Sequence, residues 1–333
     1  MVLVQNYALA VFLCIIAMIC WGSWQNTRNL IGTKWRFELF YWDYTIGIVI
    51  FALLMAFSFG SFGNQGRSFL PDLAQADPKY LLSSAIGGFI WNIGTLLLTA
   101  SIAVAGMSVA FPIGGGLGWI LGILINYLGK PEGNPGLLFG GTAVIVLAIL
   151  FSMQSYRKLA DKQKKPSFKG IMLALMAGFC IAFFYRFVAS SLATDFTPEE
   201  AGKISSYTAV VFFSFGALIS TAILNPLFMA KPVEGKPVKM SEWFRGTPKA
   251  HLLGILGGVI WCLGNSLSFM SVGAASPAIS YGLSNAAPVV AAIWGIFLWK
   301  EFREAPKGTN LLLTLMFVFY LIGLVLIVYS KFA

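Results

Sequence analysis

Two carboxylates of this 333-residue chain fall inside long apolar runs, Asp43 and Glu38. At 1.5 Å of helix rise per residue, Asp43 lies about 10 Å beyond Arg36 and Glu38 about 3 Å beyond it. A carboxylate withdrawn from water can take up and release a proton near neutral pH. Asp43, between Tyr41-Trp42 and Tyr44, is therefore a candidate proton carrier, a structural hydrogen bond to Tyr or Trp being the alternative. Glu38 is the reserve candidate, and its proximity to Arg28, Lys34 and Arg36 favours a structural pairing. Arg186 also lies within an apolar run and needs a partner there. It could pair with Asp43, bind substrate, or snorkel outward, and a position one to two turns from the end of its run favours snorkelling.

No set of residues suits catalysis or metal binding. The sole histidine, His251, stands at a loop edge and receives no role, and Cys14, Cys20, Cys180 and Cys262 lack CxxC spacing. An enzyme is not expected, nor is a cofactor or a bound metal. What the apolar runs do carry is neutral polarity beside flat rings. Trp24, Gln25 and Asn26 suit a planar or sugar-like solute, although interfacial Trp is also an ordinary membrane anchor. Trp91, Asn92 and Thr95, then Trp261 and Asn265, then Ser284 and Asn285 complete the expected substrate-binding set.

These side chains must be positioned by helices in a membrane. The chain is 58% hydrophobic and only 11% charged, against about 25% charged in soluble domains. Runs long enough to span the bilayer occur ten times, at 6 to 26, 36 to 59, 79 to 103, 106 to 128, 136 to 156, 169 to 190, 198 to 229, 249 to 271, 275 to 299 and 309 to 330. Thr197-Pro198-Glu199-Glu200 reads as the start of the seventh, with an N-cap, a first-turn proline and a capping-box glutamate. Ile145, in the fifth, is expected to face lipid. Of 23 Lys and Arg, 17 fall in one set of alternate loops and five in the other, which predicts an inner-membrane protein with both termini outside. That bias accounts for the net charge of +10 without nucleic acid. Lipid surfaces are expected contacts, and a homodimer is left open.

Gly87-Gly88-Phe89-Ile90-Trp91-Asn92-Ile93-Gly94 returns as Gly257-Gly258-Val259-Ile260-Trp261-Cys262-Leu263-Gly264, and the same offset of 170 later pairs Lys130 with Lys300. The chain thus divides into a first five-helix repeat, 1 to 156, a cytoplasmic linker, 157 to 168, and a second repeat, 169 to 333. Five spans are odd, so the halves enter the membrane inverted, the architecture of secondary transporters. The stretch Pro112 to Gly118 aligns with Gly282 to Pro288, and both would weaken a helix near the membrane centre. That either exposes backbone to a solute or allows close helix packing.

Trp21-Gly22-Ser23-Trp24 with Asn26-Thr27, Tyr41-Trp42-Asp43-Tyr44, and Gly106-Met107-Ser108-Val109-Ala110 through to Asn126-Tyr127 resemble the ureide permeases and glucose/ribose porters of the drug/metabolite transporter superfamily. The resemblance implies an all-α fold of ten spans in two inverted repeats and a central cavity lined chiefly by helices other than the fifth and tenth. It also implies proton-coupled uptake of a neutral polar solute such as a ureide, nucleobase, nucleoside or sugar. Plant ureide permeases carry a long central loop with a nucleotide-binding-like motif. Here the loop, Tyr156 to Phe168, is short and has no such motif, so ATP is not expected. A drug/metabolite exporter is the alternative, and one handling cations would need a carboxylate open to the cavity.

Overall fold

The computed structural model describes residues 1–32, 35–159, 168–196, 200–233 and 235–333, with side chains at 107, 108 and 111 left aside. Among the described residues it is all-α, with ten helices long and apolar enough to cross a membrane and, for β structure, only an isolated bridge between Leu192 and Ile204. The spans are α1 (Tyr7–Ile31), α2 (Phe37–Phe57), α3 (Pro78–Ala105), α4 (Pro112–Gly129), α5 (Pro135–Leu159), α6 (Phe168–Ser191), α7 (Ser206–Ala230), α8 (Pro248–Met270), α9 (Pro277–Leu298) and α10 (Thr309–Tyr329). Short helices at Phe69–Gln75 and Met240–Trp243 lie outside the spans.

Local sequence sets the helix starts. Asn6 caps α1, accepting a hydrogen bond from the Leu9 amide. Asp77 precedes Pro78 in α3, and Thr247 precedes Pro248 in α8. In both, a side-chain oxygen satisfies a free amide while proline occupies the first turn, where its missing N–H costs nothing. The seventh span departs from expectation. It begins at Ser206, capped by Ser205, and residues 200–205 are not helical; Thr197, Pro198 and Glu199 lie outside the described residues. The expected linker also shortens, because α5 continues to Leu159, while residues 160–167 lie outside the described ones.

Packing comes in matched pairs. α3 lies against α6 and α7 as α8 lies against α1 and α2; α4 meets α6 as α9 meets α1, and α5 meets α10. The match extends to single residues. A Cβ on Gly88 would strike the Phe213 carbonyl and one on Gly216 the Ala85 carbonyl, while Gly258 and Gly47 meet Tyr44 and Ile255 in the same way. Such contacts bring helix backbones together where lipid supplies no hydrophobic drive for association. Between α5 and α10, Gly141 and Gly323 face each other, and Ile145 packs on Gly323. Ile145 is 1% exposed, so it faces α10 and not lipid: the small residue opposite leaves a hollow that its side chain fills.

Both expected weak helices are irregular. α4 is preceded and entered through a π-helical turn over Phe111–Gly116, and α9 breaks between Ser284 and Pro288.

Candidate functional site

Repeat mates meet at the centre of the bundle. Trp91 of α3 and Trp261 of α8 lie with ring centroids 4.0 Å apart, and Trp261 also stacks on Trp21 at 5.9 Å and on Phe213 at 5.7 Å. The Trp21 indole N–H donates to the Trp261 carbonyl at 3.1 Å, fixing the ring against α8. On one side of this aromatic layer is a cavity of about 180 Å³. Its walls include Trp21, Trp24, Trp91, Trp119 and Trp261, with polar groups from Gln25, Thr95, Thr99 and Asn285. Among the described residues, no charged side chain and none of α5 or α10 lines it. The irregular turns of α4 and α9 contribute Gly115, Asn285, Ala287 and Pro288, so both helix breaks border the space.

Thr99 and Ile102 are shared with a vestibule of about 300 Å³ that reaches the basic face of the bundle. Arg28, Arg36 and Glu38 line this vestibule. Arg36 pairs with Glu38 at 2.7 Å, which is the structural pairing expected of Glu38, and the Glu38 carbonyl accepts from Asn225 at 2.8 Å. On the opposite face a larger vestibule of about 540 Å³ ends at Leu192, Phe269 and Val272. The aromatic layer and the packed residues beyond it separate the two sides.

The expected binding residues divide. Trp24, Gln25, Trp91, Thr95, Trp261 and Asn285 line the cavity. Asn26 stands outside its lining; its side chain accepts from Trp299 at 2.6 Å and donates to the Ser23 carbonyl at 2.9 Å. Asn92 is fully buried in a different direction. Its oxygen accepts from the Tyr41 hydroxyl at 2.7 Å and from Thr221 at 3.2 Å, and its nitrogen donates to Ser220 at 3.0 Å. It therefore ties α2, α3 and α7 together. Asn265 and Ser284 are buried beyond the aromatic layer, away from the cavity walls.

Asp43 is 1% exposed and faces away from the cavity. One carboxylate oxygen lies 2.8 Å from His251 Nδ1 and accepts from the Trp243 indole at 3.0 Å; the other has no hydrogen-bond partner among the described residues. Its ring partner is thus a Trp 200 positions away and not the neighbouring Tyr41, Trp42 or Tyr44. His251, given no role from its position, is correspondingly the nearest titratable neighbour of Asp43. It is held edge-on by Trp35 and Trp243. Nothing in local spacing signals this contact, since α2, α8 and the short helix at Met240–Trp243 come together only in the fold.

Arg186 does not meet Asp43. Asp43 sits two turns into α2 beside the start of α8, whereas Arg186 sits near the far end of α6, its guanidinium against Gly129 at the end of α4. The two are at opposite membrane faces, and reaching toward the helix end is the snorkelling geometry.

Ten spans around a central, uncharged, aromatic-walled cavity define a polytopic membrane protein built to hold a small solute. The ureide permease family matches residues 40–169 and 152–330, and the chain belongs to that family. It is 24% identical over 397 residues to Ureide permease 2 of Arabidopsis thaliana, covering 99% of each chain. It is 25% identical to Ureide permease 5 of the same plant, over 98% of this chain and 95% of that one. Similarity to the Probable glucose uptake protein GlcU of Staphylococcus aureus is 24%, over 80% and 81% of the two chains. One solved crystal structure superposes with a TM-score of 0.60 at 18% identity, over 98% of this chain and 100% of the other; that likeness concerns the fold alone. The protein is a membrane transporter of small solutes and not an enzyme.

Proposed function

We propose that the protein carries a small neutral polar solute, a ureide, nucleobase, nucleoside or sugar, into the cell by proton-coupled alternating access. The observation that carries this reading is the cavity itself: five indoles and a few hydroxyl and amide groups, with no charged side chain among the described residues of its wall. Flat rings suit a planar or sugar-like body, and isolated polar groups suit its donors and acceptors. A cationic drug would want a carboxylate there, and Asp43 faces elsewhere, which weighs against the exporter alternative. The names of the ureide permease and glucose uptake relatives favour the same solute classes.

The matched helix contacts support two inverted halves, 1 to 156 and 169 to 333, moving against each other about the solute. The 17 basic residues on one side support a cytoplasmic basic face in an inner membrane, with both termini outside. With the central cavity joined to the basic-face vestibule, the arrangement corresponds to an inward-open state.

Asp43, with His251, is the proposed proton site, and Glu38, already paired with Arg36, remains second. Coupling then runs through the α2–α8 contact and not through the solute. Asp43→Asn should still bind and exchange solute while losing accumulation driven by an acid exterior; undiminished accumulation would remove Asp43 from the mechanism.

The direct test of the solute class is a thermal-shift panel of allantoin, uracil, uridine and glucose, in which a true ligand at 100 times its Kd stabilises by about 2.7 kcal/mol. Asn285→Ala should weaken that effect. Stabilisation by lipophilic cations alone would favour the exporter.

A further inference from the structure

Beyond the aromatic layer, toward the 540 Å³ vestibule, the bundle is sealed but not apolar. Asn265 on α8 and Ser280 and Ser284 on α9 are each 0% exposed. Both side-chain atoms of Asn265 and the hydroxyl oxygens of Ser280 and Ser284 lack a hydrogen-bond partner among the described residues. Ser280 and Ser284 are one turn apart; both lie within reach of the Cys14 thiol of α1, and Ser280 also of the Tyr185 hydroxyl of α6, without meeting hydrogen-bond geometry. Ser268, one turn from Asn265 on α8, meets the Tyr185 hydroxyl of α6 at 2.9 Å. Three helices thus turn polar groups inward at one level, between the central cavity and the opposite vestibule.

Leaving a buried donor or acceptor unpaired is costly, and here the Asn265 amide is left without a partner beside two hydroxyls that have only loose polar neighbours. A packing role would be served better by Ala and Leu. The chemistry of the set is informative, because it holds a donor-only nitrogen, an acceptor-only oxygen and hydroxyls that can act either way. A monovalent cation would satisfy the oxygens and leave the Asn265 amide nitrogen facing a like charge. A neutral solute that both donates and accepts satisfies all of them.

We infer that Asn265, Ser280 and Ser284 form a second solute-binding layer, closed in this conformation and entered from the face opposite the basic one. The inference rests on the transport reading above and deepens it. The solute makes its polar contacts here when the outer half is open, and passes the Trp91–Trp261 layer to reach Gln25, Thr95 and Asn285. The same groups exclude a coupling cation from this level.

Cysteine accessibility tests this without knowledge of the natural solute. With the four native cysteines replaced by Ala, Ser284→Cys, Thr95→Cys and the buried control Ser214→Cys are exposed in membrane vesicles to a charged, impermeant methanethiosulfonate. Labelling samples the open fraction, and minor states are commonly populated at about 0.1–10%, so Ser284→Cys should react about tenfold or more faster than Ser214→Cys from the face bearing Lys130. Thr95→Cys should react from the opposite face. If Ser284→Cys is as slow as the control while Thr95→Cys reacts, the second layer is overturned and the central cavity stands. An inert Thr95→Cys would overturn the cavity reading and this inference with it. A second measurement needs no cysteine: Asn265→Leu should leave Tm unchanged or raise it, since it removes an unpartnered amide. A lowered Tm would show that the amide has a structural partner and would overturn the inference.

Discussion

Trp91 and Trp261, 170 residues apart, lie against each other with ring centroids separated by 4.0 Å, so the two halves of the chain touch through corresponding residues. This contact closes one end of the central cavity. Trp261 is further pinned between Trp21 and Phe213, whereas Trp91 packs beside Phe213 only at a tilt. Trp261→Ala should therefore be the more damaging change. Truncating a large buried aromatic costs about 3–5 kcal/mol, and a Tm series in detergent should place Trp261→Ala near the upper end and Trp91→Ala near the lower. Trp91→Phe should retain stability while changing solute affinity, because it keeps an aromatic wall of different reach.

Gly106 and Ser276 occupy the joints before α4 and α9, with φ and ψ of 80° and 156° in one and 89° and 156° in the other. This region belongs almost entirely to glycine and costs other residues about 1–3 kcal/mol. Gly106→Ala should lose stability by that amount. Ser276→Gly relieves the same strain but forfeits the hydroxyl that accepts from the Ile279 amide at 3.3 Å. The two effects oppose, and its Tm should stay close to that of the parent.

At the loop before α7, Glu200 accepts from the Thr194 and Asp195 amides and pairs with Lys203. Burial opposes its ionisation, but Lys203 and those amides outweigh it and hold the carboxyl down to about 2. A carboxyl depressed in the folded state stabilises fully above its ordinary value near 4.5, and that stability is lost as pH falls through about 2. Glu200→Gln should thus destabilise the folded protein at pH 7 by about 1 kcal/mol after allowing for solvent exposure, read as a lowered Tm. The difference from the parent should shrink between pH 5 and pH 2, as Tm against pH would reveal.

Orientation is open to direct measurement. Lys331→Cys should be labelled from outside intact cells by an impermeant reagent, and Lys300→Cys only after permeabilisation, as the excess of basic residues on one side requires. The reverse pattern would invert the transport direction proposed for the cavity.

The ten spans, the repeat at offset 170 and the irregular turns of α4 and α9 are determined by local sequence. Bilayer thickness demands a run of apolar residues, and proline, glycine and capping side chains act on the backbone within a turn. Trp91 and Trp261 were legible for the same reason, as marked positions of the repeat. The direction in which each helix turns its side chains was decided only by tertiary structure. In lipid, the outward and inward faces of a span are both apolar, so hydropathy carries little rotational signal. Leu54 and Leu82 are about 60% exposed, while Ile145 and Phe213, no less apolar, are buried. Hence Asn92 is locked to Tyr41 and Ser220 while Asn285 reaches the cavity. Asp43 finds His251 across 208 residues, because backbone contact at Gly47 and Gly258 brings α2 onto α8.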